Sequence, residues 1–110
     1  MIKLHFEPIC FKNCGTHCEG SVAVGIKFNK KLVNCKTFIT RINLHKGDTF
    51  DLNKAYKYIQ ASLEKKAYFW ACKIINKHLK VEEDFVKEFK SFTDKANYIV
   101  KHDEEYLKTF

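Results

Sequence analysis

A chain of 110 residues has the size of one domain, and its composition excludes a disordered protein. Hydrophobic residues make up 45% of the chain and aromatic residues 15%, so enough apolar surface is present to form a core. The net charge is +7, but Arg41 is the single arginine among the 20 basic residues. Because arginine usually recognises phosphate and guanine through two hydrogen bonds, this surface indicates either diffuse electrostatic attraction or simply an AT-rich genome.

The sequence also bears on the compartment and on the redox state of the cysteines. No stretch approaches the ~20 apolar residues that cross a bilayer. The N-terminus alternates apolar and polar residues, unlike a signal peptide. Five cysteines are an odd number, so a closed disulfide framework is not expected. We therefore predict a cytoplasmic protein with reduced thiols and no membrane partner.

Alternation of apolar and polar residues predicts three strands in the N-terminal part of the chain. Residues 2–6 are predicted to form a short strand, which Pro8 ends or places at a sheet edge. A loop is predicted at 9–21. The strict alternation that follows predicts a β-hairpin with strands at 22–28 and at about 32–42.

Apolar residues at helical spacing predict two long helices in the second half of the chain. The first is predicted over 52–79, with Asp51 as its N-cap and Asp48 adding charge that suits the helix dipole. The second is predicted over 82–108, after an acidic first turn. Its apolar residues recur from Phe85 onward at spacings of four and three, a seam that needs a partner helix.

Together these elements predict a single α+β domain over residues 1–110. A small, mostly antiparallel sheet, made of the β-hairpin and the N-terminal strand, is expected to pack on the two helices. The first helix is basic and the second acidic, which favours an antiparallel pair. The apolar seam of the second helix packs either against the first helix or against the second helix of another copy of the chain. The latter case predicts a homo-oligomer formed through the second helix.

Three cysteines in the predicted loop form a candidate zinc site. Cys10, Cys14 and Cys18 are spaced by four residues, with His17 between the last two, and Cys35 on the return strand could complete the set. Structural zinc requires four thiolate or imidazole ligands in a tetrahedron. The common Cys-x2-Cys knuckle is absent, so reduced cysteines in a partly buried loop are the alternative. A zinc site here would favour a zinc-stabilised nucleic-acid-binding module.

Catalytic motifs are not found in the sequence. It contains no Gly-rich phosphate loop, no His-Glu-x-x-His and no Gly-x-Ser-x-Gly. His17 adjoins Cys18, but neighbours in a loop rarely point at each other, as a nucleophile and its base must. We therefore predict a protein that is not an enzyme and has no cofactor unless zinc is bound.

The outer face of the predicted first helix combines lysines with aromatic residues. At ~100° per residue, Lys54, Lys57, Tyr58 and Phe69 fall away from the apolar stripe. Such a face can stack a base while lysine meets phosphate. The alternative is that a helix between a sheet and a second helix buries both of these aromatic residues.

The return strand adds Lys36 and Arg41 to this candidate binding site. A lone arginine can make a bidentate contact with carboxylate or phosphate, whereas an ion pair with Asp48 or Asp51 is the competing interpretation. These two residues and the four of the helix are the predicted contacts for an anionic ligand, such as a nucleotide signal.

The junction between hairpin and helix, from His45 to Asp51, reads His-x-x-Asp-x-Phe-Asp and leads into an Ala- and Lys-rich helix. Over roughly residues 22–75 the chain resembles small phage and prophage proteins of Gram-positive bacteria that share this arrangement. The resemblance implies a phage origin and carries no established activity. Small phage proteins often act stoichiometrically against host systems. We therefore predict a counter-defence protein of the host cytoplasm, which sequesters an anionic ligand or blocks a host protein, with nucleic acid as a further alternative.

Overall fold

The computed structural model describes residues 2–13, 16–43, 52–78 and 85–109. Cys14, the run from His45 to Asp51 and the acidic turn predicted near residue 82 lie outside the described residues. In the described residues four strands precede two helices: β1 (Ile2–Phe6), β2 (Cys10–Asn13), β3 (His17–Phe28), β4 (Lys31–Asn43), α1 (Leu52–His78) and α2 (Phe85–Leu107). The predicted α+β class is confirmed.

All pairings in the sheet are antiparallel, and all of them involve β3. β1 and β2 follow one another along one side of β3, where Phe6 lies opposite Val24 and Cys10 lies opposite Ser21. β4 pairs with the other side of β3 over its whole length. The hairpin turn lies where it was predicted. Its two residues, Asn29 and Lys30, have φ angles of 48° and 70°, as the tight turns of hairpins require.

The prediction of a loop at 9–21 was wrong, because this segment contains β2 and the beginning of β3. Ile9 and Phe11 of this segment pack against the core, but the core-facing positions of β3 there are occupied by Cys18 and Gly20, so no regular alternation of large apolar residues was visible. A Cβ atom at residue 20 would overlap the side chain of Ile59 on α1. Glycine at this position therefore lets α1 pack directly on the sheet.

Within the part of the chain that the structure describes, one face of the sheet is covered by helices and the other is not. Even-numbered residues of β3 are buried toward the helices, whereas the odd-numbered ones lie on the opposite, open face. Ile59 and Leu63 of α1 share one core cluster with Val24. Ala71 and Ile75 of α1 share a second with Ile26. The core thus lies between one sheet face and α1, and α2 completes it at one end.

The two helices form the predicted antiparallel pair. Nζ of Lys65 on α1 lies 3.3 Å from Oε1 of Glu104 on α2. Further along α1, the ring centroid of Tyr68 lies 6.0 Å from that of Phe92, which comes earlier on α2. The buried residues of α2 include Phe92 and Asp103, both on its predicted seam, so part of this seam is satisfied within the chain. No helix in the described part of the chain has the length and apolar character needed to span a membrane.

Candidate binding surface

Lysines recur on the side of α1 that lies along β4. Lys66, Lys73 and Lys77 are spaced by seven and four residues, so they share one helix face. The side chain of Lys66 shows where that face lies. Its Nζ donates to the backbone carbonyl of Ile39 at 2.9 Å and to the hydroxyl of Thr40 at 3.0 Å, and both acceptors belong to β4.

Lys36 of β4 adds a fourth cation on the same side of the sheet. Its Nζ lies 5.5 Å from the ring centroid of Phe38, which in turn packs edge-on against Trp70 at 5.5 Å. Among the described residues, no carboxylate forms an ion pair with Lys36, Lys66 or Lys73. We call Lys36, Lys66, Lys73 and Lys77 the lysine row.

Arg41 lies on the other face of the sheet. Its guanidinium donates to Nδ1 of His17 at 3.2 Å, and the residue opposite Arg41 on β3 is Glu19. Successive side chains of a strand alternate between faces, so residues five positions apart on β4 point in opposite directions. One small ligand therefore does not reach both Arg41 and Lys36, although the sequence placed them in one site.

The predicted contacts on α1 are spread along the helix. Lys54 and Lys57 are exposed near its N-terminal end and Tyr58 is half-buried. Phe69, which is 48% exposed, lies eleven residues beyond Tyr58, a distance of about 16 Å along the helix axis. The Nζ of Lys65 lies 6.0 Å from the centroid of the Phe69 ring. The structure thus supports an exposed Phe69 but does not gather the six predicted contacts in one pocket.

The groove that contains Lys57 has a mixed charge. It measures about 370 Å³ between α1 and α2 and is also lined by Glu64 and Asp103. The pKa of Asp103 is raised from its usual 3.8 to about 7, chiefly because the carboxyl group is buried. The hydrogen bond with Glu64 and the charge of Glu64 raise the pKa further, whereas the charge of Lys65 lowers it. Two neighbouring carboxyl groups do not favour an anion. At the sequence level, Asp103 was visible only as the interruption of the α2 seam.

Two further grooves also lack a cluster of cations. One, of about 340 Å³, lies between α1 and the end of β1. The described residues that line it include Phe6, Tyr56 and Glu64 but no lysine. The other, of about 300 Å³, lies on the open sheet face and includes Lys27 as its lysine. Among the described residues, no more than one lysine lines each of these three grooves.

The structure separates the described members of the predicted zinc set. Cys18 is fully buried under α1, whereas its neighbour His17 lies on the open face. Cys10 is exposed on β2 and Cys35 is exposed on β4. Within the described ranges, no three His, Cys, Asp or Glu residues are grouped as metal ligands would be. Since Cys18 faces the core, these residues do not surround one tetrahedral centre.

Comparisons with known proteins leave function to be inferred from these side chains. No family model matches the chain, and neither a curated protein nor a solved structure matches it. The resemblance to small phage proteins therefore stays a prediction. Of the lysine row, sequence inspection identified Lys36 but missed Lys66, Lys73 and Lys77. Their spacing was visible, but the position of β4 relative to α1 was not.

Proposed function

We propose that this chain is a small non-enzymatic binding protein of the phage counter-defence type, which blocks an acidic surface of a host protein through the lysine row. The position of the cations is the observation that carries the proposal. They are exposed, and none of the three grooves collects more than one of the described lysines. A nucleotide needs a cavity with converging polar groups, whereas charges spread over a surface suit another protein surface.

Nucleic acid is the weaker of the macromolecular alternatives. Binding of single strands usually combines cations with aromatic rings on which bases stack. Beside the lysine row, Phe38 is buried and contacts Trp70 edge-on, so its ring face is not open to a base. The shortage of arginine also argues against specific reading of bases or phosphates.

Blocking a surface requires association and no chemistry. Complementary charge accelerates encounter with an acidic partner, and the net charge of +7 acts in the same direction. Such a partner need not be enclosed, because covering a functional surface is enough to inhibit it. Self-association through α2 is a separate part of the proposal. Tyr98 supports it as an apolar residue that is 73% exposed on that helix.

The test is affinity capture from nuclease-treated extract of candidate host cells, followed by mass spectrometry. We compare the wild type with a row variant, Lys66→Glu/Lys73→Glu, and with a control of equal net charge, Lys95→Glu/Lys101→Glu, changed at exposed positions of α2. We expect the wild type and the control to retain the same host protein and the row variant to lose it. Equal retention by all three, or retention of a nucleotide instead of a protein, contradicts the proposal.

A further inference from the structure

The outer edge of β4 borders the lysine row and is open in the described structure. β4 is 13 residues long, and β3 is the strand that pairs with it among the described residues. An edge strand presents the backbone N–H and C=O groups of every second residue to its surroundings. An edge of this length is a template on which another extended chain can pair.

The hydrogen bonds of β3 identify which backbone groups point outward. Ala23 of β3 accepts a hydrogen bond from the N–H of Glu7 at 2.9 Å, so its backbone is used on the β1 side. Thr37 is the residue opposite Ala23 on β4. In an antiparallel pair whose backbones do not bond each other, both residues direct these groups away from the partner. Thr37 therefore directs its N–H and C=O toward the outer edge.

Two side chains of the protein itself already bond to this edge. The N–H of Cys35 donates to Oδ1 of Asn34 at 2.8 Å, and the carbonyl of Ile39 accepts from Nζ of Lys66 at 2.9 Å. Cys35 and Ile39 lie two residues before and after Thr37, so their backbone groups point to the same side of the strand as those of Thr37. These two bonds therefore support the conclusion that the groups of Thr37 point outward. A strand that pairs here has to replace Lys66 at the Ile39 carbonyl.

We propose that the occupant of this edge is an extended acidic segment of the partner protein, which adds to β4 as a further strand and sets its carboxylates against the lysine row. This inference rests on the proposed function and specifies how the acidic partner is held. Strand addition supplies affinity through the backbone, and the side chains supply selectivity. The Lys66 ammonium released from Ile39 then bonds a carboxylate of the incoming strand, a charge-assisted contact that a neutral strand lacks.

Charge separates this occupant from the other candidates. Pairing of β4 with β4 of a second copy would bring the lysines and Arg41 of both chains together, and like charges across neighbouring strands are destabilising. Lysines on an edge strand are a common protection against such pairing. A nucleic acid would meet the charges but would leave the strand hydrogen bonds of the edge without peptide partners.

The probe is a fluorescein-labelled ten-residue peptide of alternating Glu and Val, followed by anisotropy with the full chain at two salt concentrations. Two further versions carry N-methyl groups. One is methylated at the Glu residues and the other at the Val residues, so each version blocks the N–H groups along one edge of the extended peptide. We expect the unmodified peptide to bind and one methylated version to bind at least about tenfold more weakly, because its N–H groups can no longer reach β4. Equal affinity of both methylated versions overturns strand addition while leaving binding of acidic surfaces intact.

Variants of the edge test the same proposal from the side of the protein. Thr37→Pro removes an outward N–H without removing a bond to β3, and Thr37→Val keeps that N–H as the matched control. We expect the proline variant alone to weaken binding of the Glu–Val peptide about tenfold. Lys66→Met should reduce the preference for this peptide over a Gln–Val peptide. Unchanged affinity in the proline variant, once circular dichroism shows that it folds, overturns the proposal.

Hydrogen exchange followed by NMR separates the remaining outcomes. Peptide addition should protect the amide of Thr37, while the amides of Lys36 and Phe38, which face β3, change little. Protection of Thr37 without peptide, together with a dimer mass, overturns the acidic segment in favour of a second copy. If the peptide does not bind but the wild type captures a host protein that the row variant loses, the edge is wrong and the acidic-surface proposal stands. If neither effect is seen, both fail.

Discussion

Replacing Asp103 by Asn removes the titrating group whose pKa is most clearly displaced in the described structure. Asp103 as a whole residue is 5% exposed, its carboxyl group adjoins Glu64, and its Oδ2 atom has no hydrogen-bond partner among the described residues. An amide has nearly the same shape as a protonated carboxyl group and can likewise donate to Glu64. Asp103→Asn therefore mimics the protonated state at every pH.

The sign of the effect follows from the two pKa values. The pKa of Asp103 is about 7 in the folded protein against 3.8 ordinarily, so folding favours the protonated form. Its contribution to stability is fully present below about pH 4, declines as the pH rises toward 7, and is lost above that. At 1.36 kcal/mol per pKa unit, the shift sets a ceiling near 4 kcal/mol. Because the groove is open to solvent and Lys65 opposes the shift, we expect about 1–3 kcal/mol.

Urea unfolding at a series of pH values measures this effect as a difference between variant and wild type, in which the other titrating groups cancel. The free energy of unfolding of Asp103→Asn should exceed that of the wild type at pH 8, and the gap should close near pH 4. Asp94→Asn, at an exposed position of the same helix, should show no such trend. A gap that does not change with pH, or a variant less stable than wild type at pH 8, refutes the reasoning.

Three further predictions concern the fold. Gly20→Ala should lower the free energy of unfolding by about 1–3 kcal/mol in urea titration, because the added methyl overlaps α1; an unchanged value contradicts that packing. Lys30→Gly should raise stability by about 0.5–1 kcal/mol in thermal unfolding, since its φ is 70°, and a loss would mean that the turn differs. Alkylation mapped by mass spectrometry should modify Cys10 and Cys35 in the native protein but Cys18 only after unfolding; equal rates would contradict its burial.

The strongest periodicities predicted the elements that contain large core residues. β3 beyond Val22, the turn at Asn29 and both helices agree with their predicted positions because bulky apolar side chains recur there. β2 and the start of β3 were missed for the opposite reason. There Ile59 of α1 fills the core side beside β3, so β3 needs only Gly20 and a cysteine at its start, and the short β2 adds Phe11 as a partly buried side chain.

The candidate surface was less predictable than the fold because the exposed side of α1 changes along its length. Near its N-terminal end Lys57 is exposed beside α2, whereas further along Lys66 is exposed beside β4. A helical wheel assigns one outer face to the whole helix. The actual outer face depends on which neighbours cover each turn, and that information lies in the packing of the sheet and α2, far away in sequence.

The central position of β3 has a consequence for how such a protein can vary. Every strand pairing in the described sheet includes β3, so substitutions on β3 disturb both sides of the sheet at once. Exposed residues of β4, by contrast, share a border with one strand and otherwise face outward. Selection can therefore change residues on the outer side of β4 to follow a changing partner while β3 preserves the architecture. The binding surface can then evolve faster than the rest of the sheet.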